Sequence, residues 1–195
     1  MARAPASREA ILAATQRVLD RDGWQGTSAE RIAAEAGVSR VTLHRHGLTK
    51  EVILGQLGEQ AVERYREAMW PVLTGPETAG ERLEHALEIL CDLAEKNLGL
   101  LLALDAQANA AVFHEGSGEG ALTRTVFTEP LERLLRDGEA EGSLRKLEDP
   151  LRTATVLFNL IGWTYIHLRS GHGWSPDTAC EATLDLVLNG LKPAP

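Results

Sequence analysis

Two helix starts separated by one glycine stop constrain this chain more than any other feature. In residues 27–50, TSAERIAAEAGVSRVTLHRHGLTK, Thr27 or Ser28 can cap a helix, because a side-chain oxygen there accepts from the free backbone amides of the first turn. That helix carries Ile32, Ala33 and Ala36 inward. Gly37 then offers the left-handed backbone at which helices commonly end, and Ser39 offers the next cap, so a second helix begins at Arg40. A helix, a glycine-bearing turn of three or four residues and a second helix make either an ordinary helical hairpin or a helix-turn-helix, whose second helix enters the DNA major groove. Spacing alone does not choose between them.

Charge tips the balance. A net charge of −8 over 195 residues opposes a nucleic-acid partner only if it is evenly spread, because phosphates repel acidic surfaces. Residues 1–50 hold eight Lys and Arg against five Asp and Glu, a balance of +3, which leaves 12 against 23, or −11, for residues 51–195. The pattern is that of a basic reading head on an acidic body. Hydrophobic residues make up 44 %, enough for a real core. The longest apolar run, Leu98 to Leu104, falls far short of the roughly 18 residues of a membrane span. The segment MARAPASREA has no apolar stretch before a cleavage site, so the expected location is the cytoplasm. Cys91 and Cys180 lie far apart on apolar helical faces, as buried free thiols do.

The periodicity predicts an all-α chain of nine helices in two domains, with no strand signal and no internal repeat. Ser7 caps a first helix with Ile11, Leu12, Thr15, Val18 and Leu19 on one face; Gly23 ends it, and Trp24 plugs the small core. After the pair already described, Thr49-Lys50-Glu51 opens a longer helix reaching about residue 73, where Pro71 blurs the end and Gly75-Pro76 breaks it. This helix connects a DNA-binding domain over 1–50 to a body over 51–195. Residues 78–97 form an amphipathic helix, 98–113 a buried central one apolar nearly all round, and EGSGEG at 115–120 a surface loop. The next helix carries Leu122, Val126, Phe127, Leu131, Leu134 and Leu135, and Pro130 should kink or divide it. A polar connection at 138–147 leads to Asp149-Pro150, a cap followed by proline at the first helical position. That helix runs to Ser170 with more apolar surface than one face needs. Gly171-His172-Gly173 stops it, and Ser175-Pro176 starts the last.

These residues resemble the DNA-binding domain of TetR-family transcriptional regulators over positions 8–56: Gly23, Thr27-Ser28, Ile32-Ala33, Ala36-Gly37-Val38-Ser39, Thr42-Leu43, Arg45-His46 and Thr49-Lys50-Glu51. The connection Gly138-Glu139, Gly142-Ser143-Leu144-Arg145, Asp149-Pro150 is similar too; beyond residue 75 the likeness is otherwise architectural. The resemblance implies a homodimer joined by its last two helices, and an effector pocket among its middle helices. It also implies a repressor released from a palindromic DNA operator when a small molecule alters the spacing of the heads. A regulator that activates is a variant of the same reading. Two positions depart from the family. His44 and Gly47 stand where tyrosine and phenylalanine are usual. Loss of the phenylalanine removes a core anchor where the recognition helix ends, and Leu48 is placed to fill part of the gap. A helical small-molecule-binding or enzymatic protein with a degenerate head is the alternative these departures suggest.

Arg40, Val41 and Thr42 open the second helix and are best placed for base edges: arginine can take guanine O6 and N7, and Val41 or Thr42 a thymine methyl. The other reading of Arg40 is a phosphate clamp. Thr27, Ser28, His44, His46 and Lys50 are candidates for phosphate contacts, helped by the helix starts at Thr27 and Thr49. Arg45 faces either the DNA backbone or an acidic neighbour. His85, His114, His167 and His172 lack a second ligand at helical spacing, so no metal site is expected, and no cofactor. Nucleophile-elbow, phosphate-loop and dinucleotide motifs are missing, so no enzyme is expected. Trp70, Leu87, Cys91, Leu102, Phe113, Phe127, Phe158 and Trp163 are candidates to line an apolar cavity for a hydrophobic or aromatic effector, which each could also serve as plain core.

Overall fold

The computed structural model describes residues 7–106 and 119–192, and these are helical and turn residues without strands. In chain order the helices are α1 (Arg8–Gly26), α2 (Ala29–Ala36), α3 (Arg40–Arg45), α4 (Lys50–Leu73), α5 (Ala79–Lys96), α6 (Leu98–Ala106) and α7 (Glu119–Glu141). Then come α8 (Pro150–Asn159), a π-helical segment (Leu160–Thr164), α9 (Tyr165–Ser170) and α10 (Pro176–Leu191). The stretch from α8 through α9 corresponds to the single helix expected over 150–170; the π segment within it left no trace in the hydrophobic period.

Local chemistry sets most starts. Ser7, Ser28, Ser39, Asp149 and Ser175 each accept a hydrogen bond from an amide of the following first turn, which satisfies a donor that the helix itself leaves open. Thr49 does the same for the Val52 amide at 3.2 Å. Pro150 and Pro176 stand in first turns, where a missing N–H costs nothing.

Three boundaries differ from expectation. α1 kinks at Gly23 but reads on to Gly26. Pro130 does not divide α7. A mid-helix proline costs about 3 kcal/mol, and complete burial of Leu131, Leu134 and Leu135 on the same helix offsets that loss. α7 also runs through Gly138 as far as Glu141, and the connection after it buries Leu144 and Leu147, so it is less polar than composition suggested. In α6, Leu100 and Ala103 are buried but Leu102 is 38 % exposed, so this helix is not apolar core on every side. Phe113 and His114 lie outside the described residues.

The described residues divide into two compact units. One holds those up to Ala61 together with α6; the other holds Val62 to Lys96 and everything from α7 onward. The first unit, the head, has a core of Ile11, Leu12 and Leu19 from α1, Ile32 and Ala33 from α2, and Leu43 and Leu48 at α3. Ile53, Leu54 and Leu57 from α4 and Leu100 and Ala103 from α6 complete it. Trp24 packs against this cluster, the core role expected of it. In the second unit Tyr65, Phe127 and Phe158 form an aromatic stack, with centroid separations of 4.7 and 4.9 Å. The Tyr65 hydroxyl donates to the Phe127 carbonyl at 2.9 Å, and burial pushes its pKa up.

Candidate nucleic-acid interface

The interface is built on the short helix α3. Its start is fixed by Ser39, whose oxygen accepts from the Thr42 amide at 3.1 Å and lies 2.9 Å from the Thr42 hydroxyl. Thr42 is therefore bonded through its hydroxyl as well as its amide. The turn before α3 depends on Gly37, left-handed at φ 67 and ψ 29. That geometry lets Val38 donate to the Ala33 carbonyl at 2.9 Å and Gly37 to Ala34 at 3.2 Å, which closes the open carbonyls of α2.

The end of α3 repeats this device. Gly47 is left-handed at φ 64; Gly47 donates to the His44 carbonyl at 3.0 Å and Leu48 to the Leu43 carbonyl at 3.0 Å. The hydrophobic pair that accompanies such a cap is Leu43 with Leu48, 1 % and 5 % exposed in the same core. The residue type that looked like a lost anchor thus makes the helix stop, and Leu48 occupies the core.

Around this frame the side chains sort clearly. Val41 is 75 % exposed, unusual for an aliphatic residue. His44, Arg45 and His46 are exposed, in the last turn of α3 or just past it, where positive charge is favoured by the helix carbonyls. Arg40 is exposed and paired: its Nη1 lies 2.7 Å from Glu30 Oε1 on α2. Other arginines of the head are spent between helices. Arg17 and Arg21 of α1 both meet Glu35 of α2, at 2.7 and 3.1 Å, and Arg31 meets Asp22 at 3.1 Å. Arg17 and Arg21 together hold the Glu35 carboxyl below the usual carboxylate range.

Thr27, expected at the phosphate surface, faces inward. It is 4 % exposed because its hydroxyl donates to the Gly23 carbonyl at 2.7 Å and its amide to Trp24 at 3.1 Å. Ser28 supplies the cap of α2. Lys50 is half-buried rather than extended toward solvent. Its ammonium donates to the Trp24 carbonyl at 2.7 Å and lies 3.5 Å from the centroid of the indole, a cation–π contact. Partial burial lowers its pKa below the ordinary lysine value, against the opposing charge of Glu51. Periodicity could not reveal the Trp24–Lys50 or Glu30–Arg40 pairs, since each joins residues on different elements.

The cavity candidates do not gather as one set. Leu87, Cys91 and Phe158 are buried, Phe127 and Trp163 half-buried. Trp70, expected on an inner face, is 69 % exposed, because α4 buries its neighbour Met69 instead; Leu102 belongs to the head unit. Tyr65, absent from the sequence-based set, stands in the aromatic stack. No helix among the described residues is long and apolar enough to cross a membrane. No group of three metal-ligating side chains occurs among them either.

A capped helix-turn-helix with an exposed, basic second helix defines the class: a DNA-binding regulator. Residues 11–57 match the profile of bacterial regulatory proteins of the tetR family. Across almost its full length the chain is similar to the nucleoid occlusion factor SlmA of Sodalis glossinidius (strain morsitans), at 25 % identity over 188 residues and 94 % of each chain. Among solved structures it is similar to a TetR/AcrR-family transcriptional regulator from Thermobifida fusca, with TM-score 0.71, 24 % identity, and 94 % and 97 % of the two chains covered. It is also similar to the TetR regulator SCO0520 from Streptomyces coelicolor, with TM-score 0.63, 28 % identity, and 97 % and 100 % covered. The head is thus similar to the tetR-family regulatory proteins, and along nearly its whole length the chain shares the fold of TetR-type transcriptional regulators.

Proposed function

We propose that the protein is a homodimeric transcriptional repressor released from a palindromic operator by a small apolar or aromatic effector. The observation that carries this reading is the intact second helix. α3 is capped at Ser39 and stopped at Gly47, and it presents Val41 at 75 % exposure among Arg40, His44, Arg45 and His46. Arg40 and Val41, with the Thr42 methyl, read base edges; His44, Arg45 and His46 meet phosphates, as do Ser28 at the start of α2 and the remaining N–H groups of Lys50. The well-formed head weighs against a degenerate one.

Dimerisation through α8 and α10 is supported by Leu151, Val156 and Leu186, which are 47 %, 51 % and 75 % exposed on those helices. The effector site is drawn around Phe127 and Phe158, with Leu87, Cys91 and Trp163 from the neighbouring helices. A two-fold dimer fits a palindrome only at one head spacing, so a ligand that favours another spacing weakens DNA binding by its differential affinity for the two states. A reporter placed behind the bound DNA sequence should fall when the chain is expressed and recover with the effector. Reporter output that rises with the chain present would contradict repression.

A further inference from the structure

The first residue of the recognition helix is not a free arginine. Arg40 Nη1 stands 2.7 Å from Glu30 Oε1, both side chains being more than half exposed. The Glu30 carboxyl is held below its usual range, first by its own backbone amide, then by the Ser28 hydroxyl and the Arg40 charge. The Ser28 oxygen accepts from the Arg31 amide at 3.3 Å. Glu30, in the first turn of α2 just past its cap, thus reaches the opening residue of α3.

An exposed ion pair adds little to stability. Its consequence lies in where the guanidinium can go. An untethered arginine at a groove edge is drawn to any phosphate, which raises affinity without reading sequence. With Nη1 tied to Glu30, the edge formed by Nε–H and Nη2–H remains for a bidentate contact with guanine O6 and N7. The Glu30 carboxylate also repels the phosphates around it.

We propose that Glu30 is a positioning residue that holds Arg40 for a guanine edge and keeps it off the DNA backbone, so that the pair sets discrimination between sequences. The proposal rests on α3 being the recognition helix. The test compares the wild-type chain with Glu30→Ala, Glu30→Gln, Arg40→Ala and the Glu30→Ala/Arg40→Ala double variant. Each is titrated by fluorescence anisotropy, across a salt series, against a duplex selected by the wild type and a scrambled duplex of equal length. Glu30→Ala should bind the scrambled duplex more tightly, with a salt slope steeper by about 0.9, the value of one added phosphate contact. Its selected-to-scrambled ratio should fall by roughly 10-fold, within the range of one lost bidentate contact. Glu30→Gln, which keeps an acceptor without the charge, should fall between, and melting temperatures should stay level. On the Arg40→Ala background, removing Glu30 should raise both affinities alike and leave the ratio unchanged. An unaltered ratio in Glu30→Ala, or the same loss with and without Arg40, overturns the proposal. Failure of the wild type to select any DNA is a separate result, which removes the recognition-helix reading and this proposal with it.

Discussion

Replacing Gly99 by alanine should destabilise the head, although alanine is the better helix former. Gly99 lies in the first turn of α6, against α1. A Cβ added there would sit 2.6 Å from Asp20 Oδ1, 3.2 Å from the Asp20 backbone nitrogen and 3.2 Å from the Leu19 carbonyl carbon. The Asp20 carboxylate can swing aside at the expense of its 3.0 Å hydrogen bond from Gln16. The backbone atoms cannot yield without moving one helix from the other. Overpacking of this kind costs typically about 1–3 kcal/mol, whereas the gain in helix propensity is at most about 1 kcal/mol. The expected balance is a loss of about 1–2 kcal/mol, or a melting temperature lower by roughly 4 °C for a chain of this size. Gly55 in α4 is the control, because its added Cβ would meet nothing within 4 Å; Gly55→Ala should stabilise by about 0.5–1 kcal/mol. Both are read by circular dichroism melts on the full chain. A Gly99→Ala protein that gains as much as Gly55→Ala would show that α6 and α1 do not approach so closely.

Three further outcomes follow from particular contacts. Gly47→Ala places a Cβ on a backbone at φ 64 and should cost about 1–2 kcal/mol, while Gly47→Asn should cost less; equal melting points for all three proteins would refute the left-handed stop of α3. Arg169 Nε and Nη2 each donate to Glu95 at 2.7 Å, with the Tyr165 hydroxyl adding a third bond at 2.9 Å; Arg169 first, then Tyr165, hold the Glu95 carboxyl below its usual range against desolvation. That contribution is complete above the unfolded carboxylate value of about 4.3 and is lost as pH falls through the depressed folded value. Glu95→Gln should therefore cost about 1.5 kcal/mol at neutral pH and flatten the acid limb of the stability profile, and an unchanged acid limb would contradict it. Burial pushes the Cys91 thiol well up, and Cys180 less far; an alkylating reagent followed by mass spectrometry should label Cys180 first in the native protein, and the reverse order would mean that α5 does not bury Cys91.

What could be read from the sequence was local. Ser28, Ser39, Asp149 and Ser175 announce helix starts because a cap and the amide it satisfies lie within one turn of chain. Gly37 announces a stop for the same reason, and Ile11, Leu12, Val18 and Leu19 reveal their buried face through period alone. Gly47 reads in the sequence as a lost aromatic; its role as a left-handed stop depends on the amides of Gly47 and Leu48 finding carbonyls in α3. Pairs between elements left no pattern. Lys50 reads as a free cation until Trp24 is seen against it, and Arg40 until Glu30 is. Thr27 reads as a surface cap, yet its hydroxyl turns back to Gly23. Trp70 shows the limit of hydrophobic counting, since the helix carrying it buries Met69 and leaves the larger side chain in solvent.

The most direct test is selection of DNA from a random-sequence pool by the purified full chain at low salt. The account predicts an enriched site with two-fold symmetry, a guanine at a fixed position in each half, and half-site centres about 34–36 Å apart or a multiple of that. A pool that emerges with no enriched sequence, or with a single half-site bound by a monomer, would contradict it.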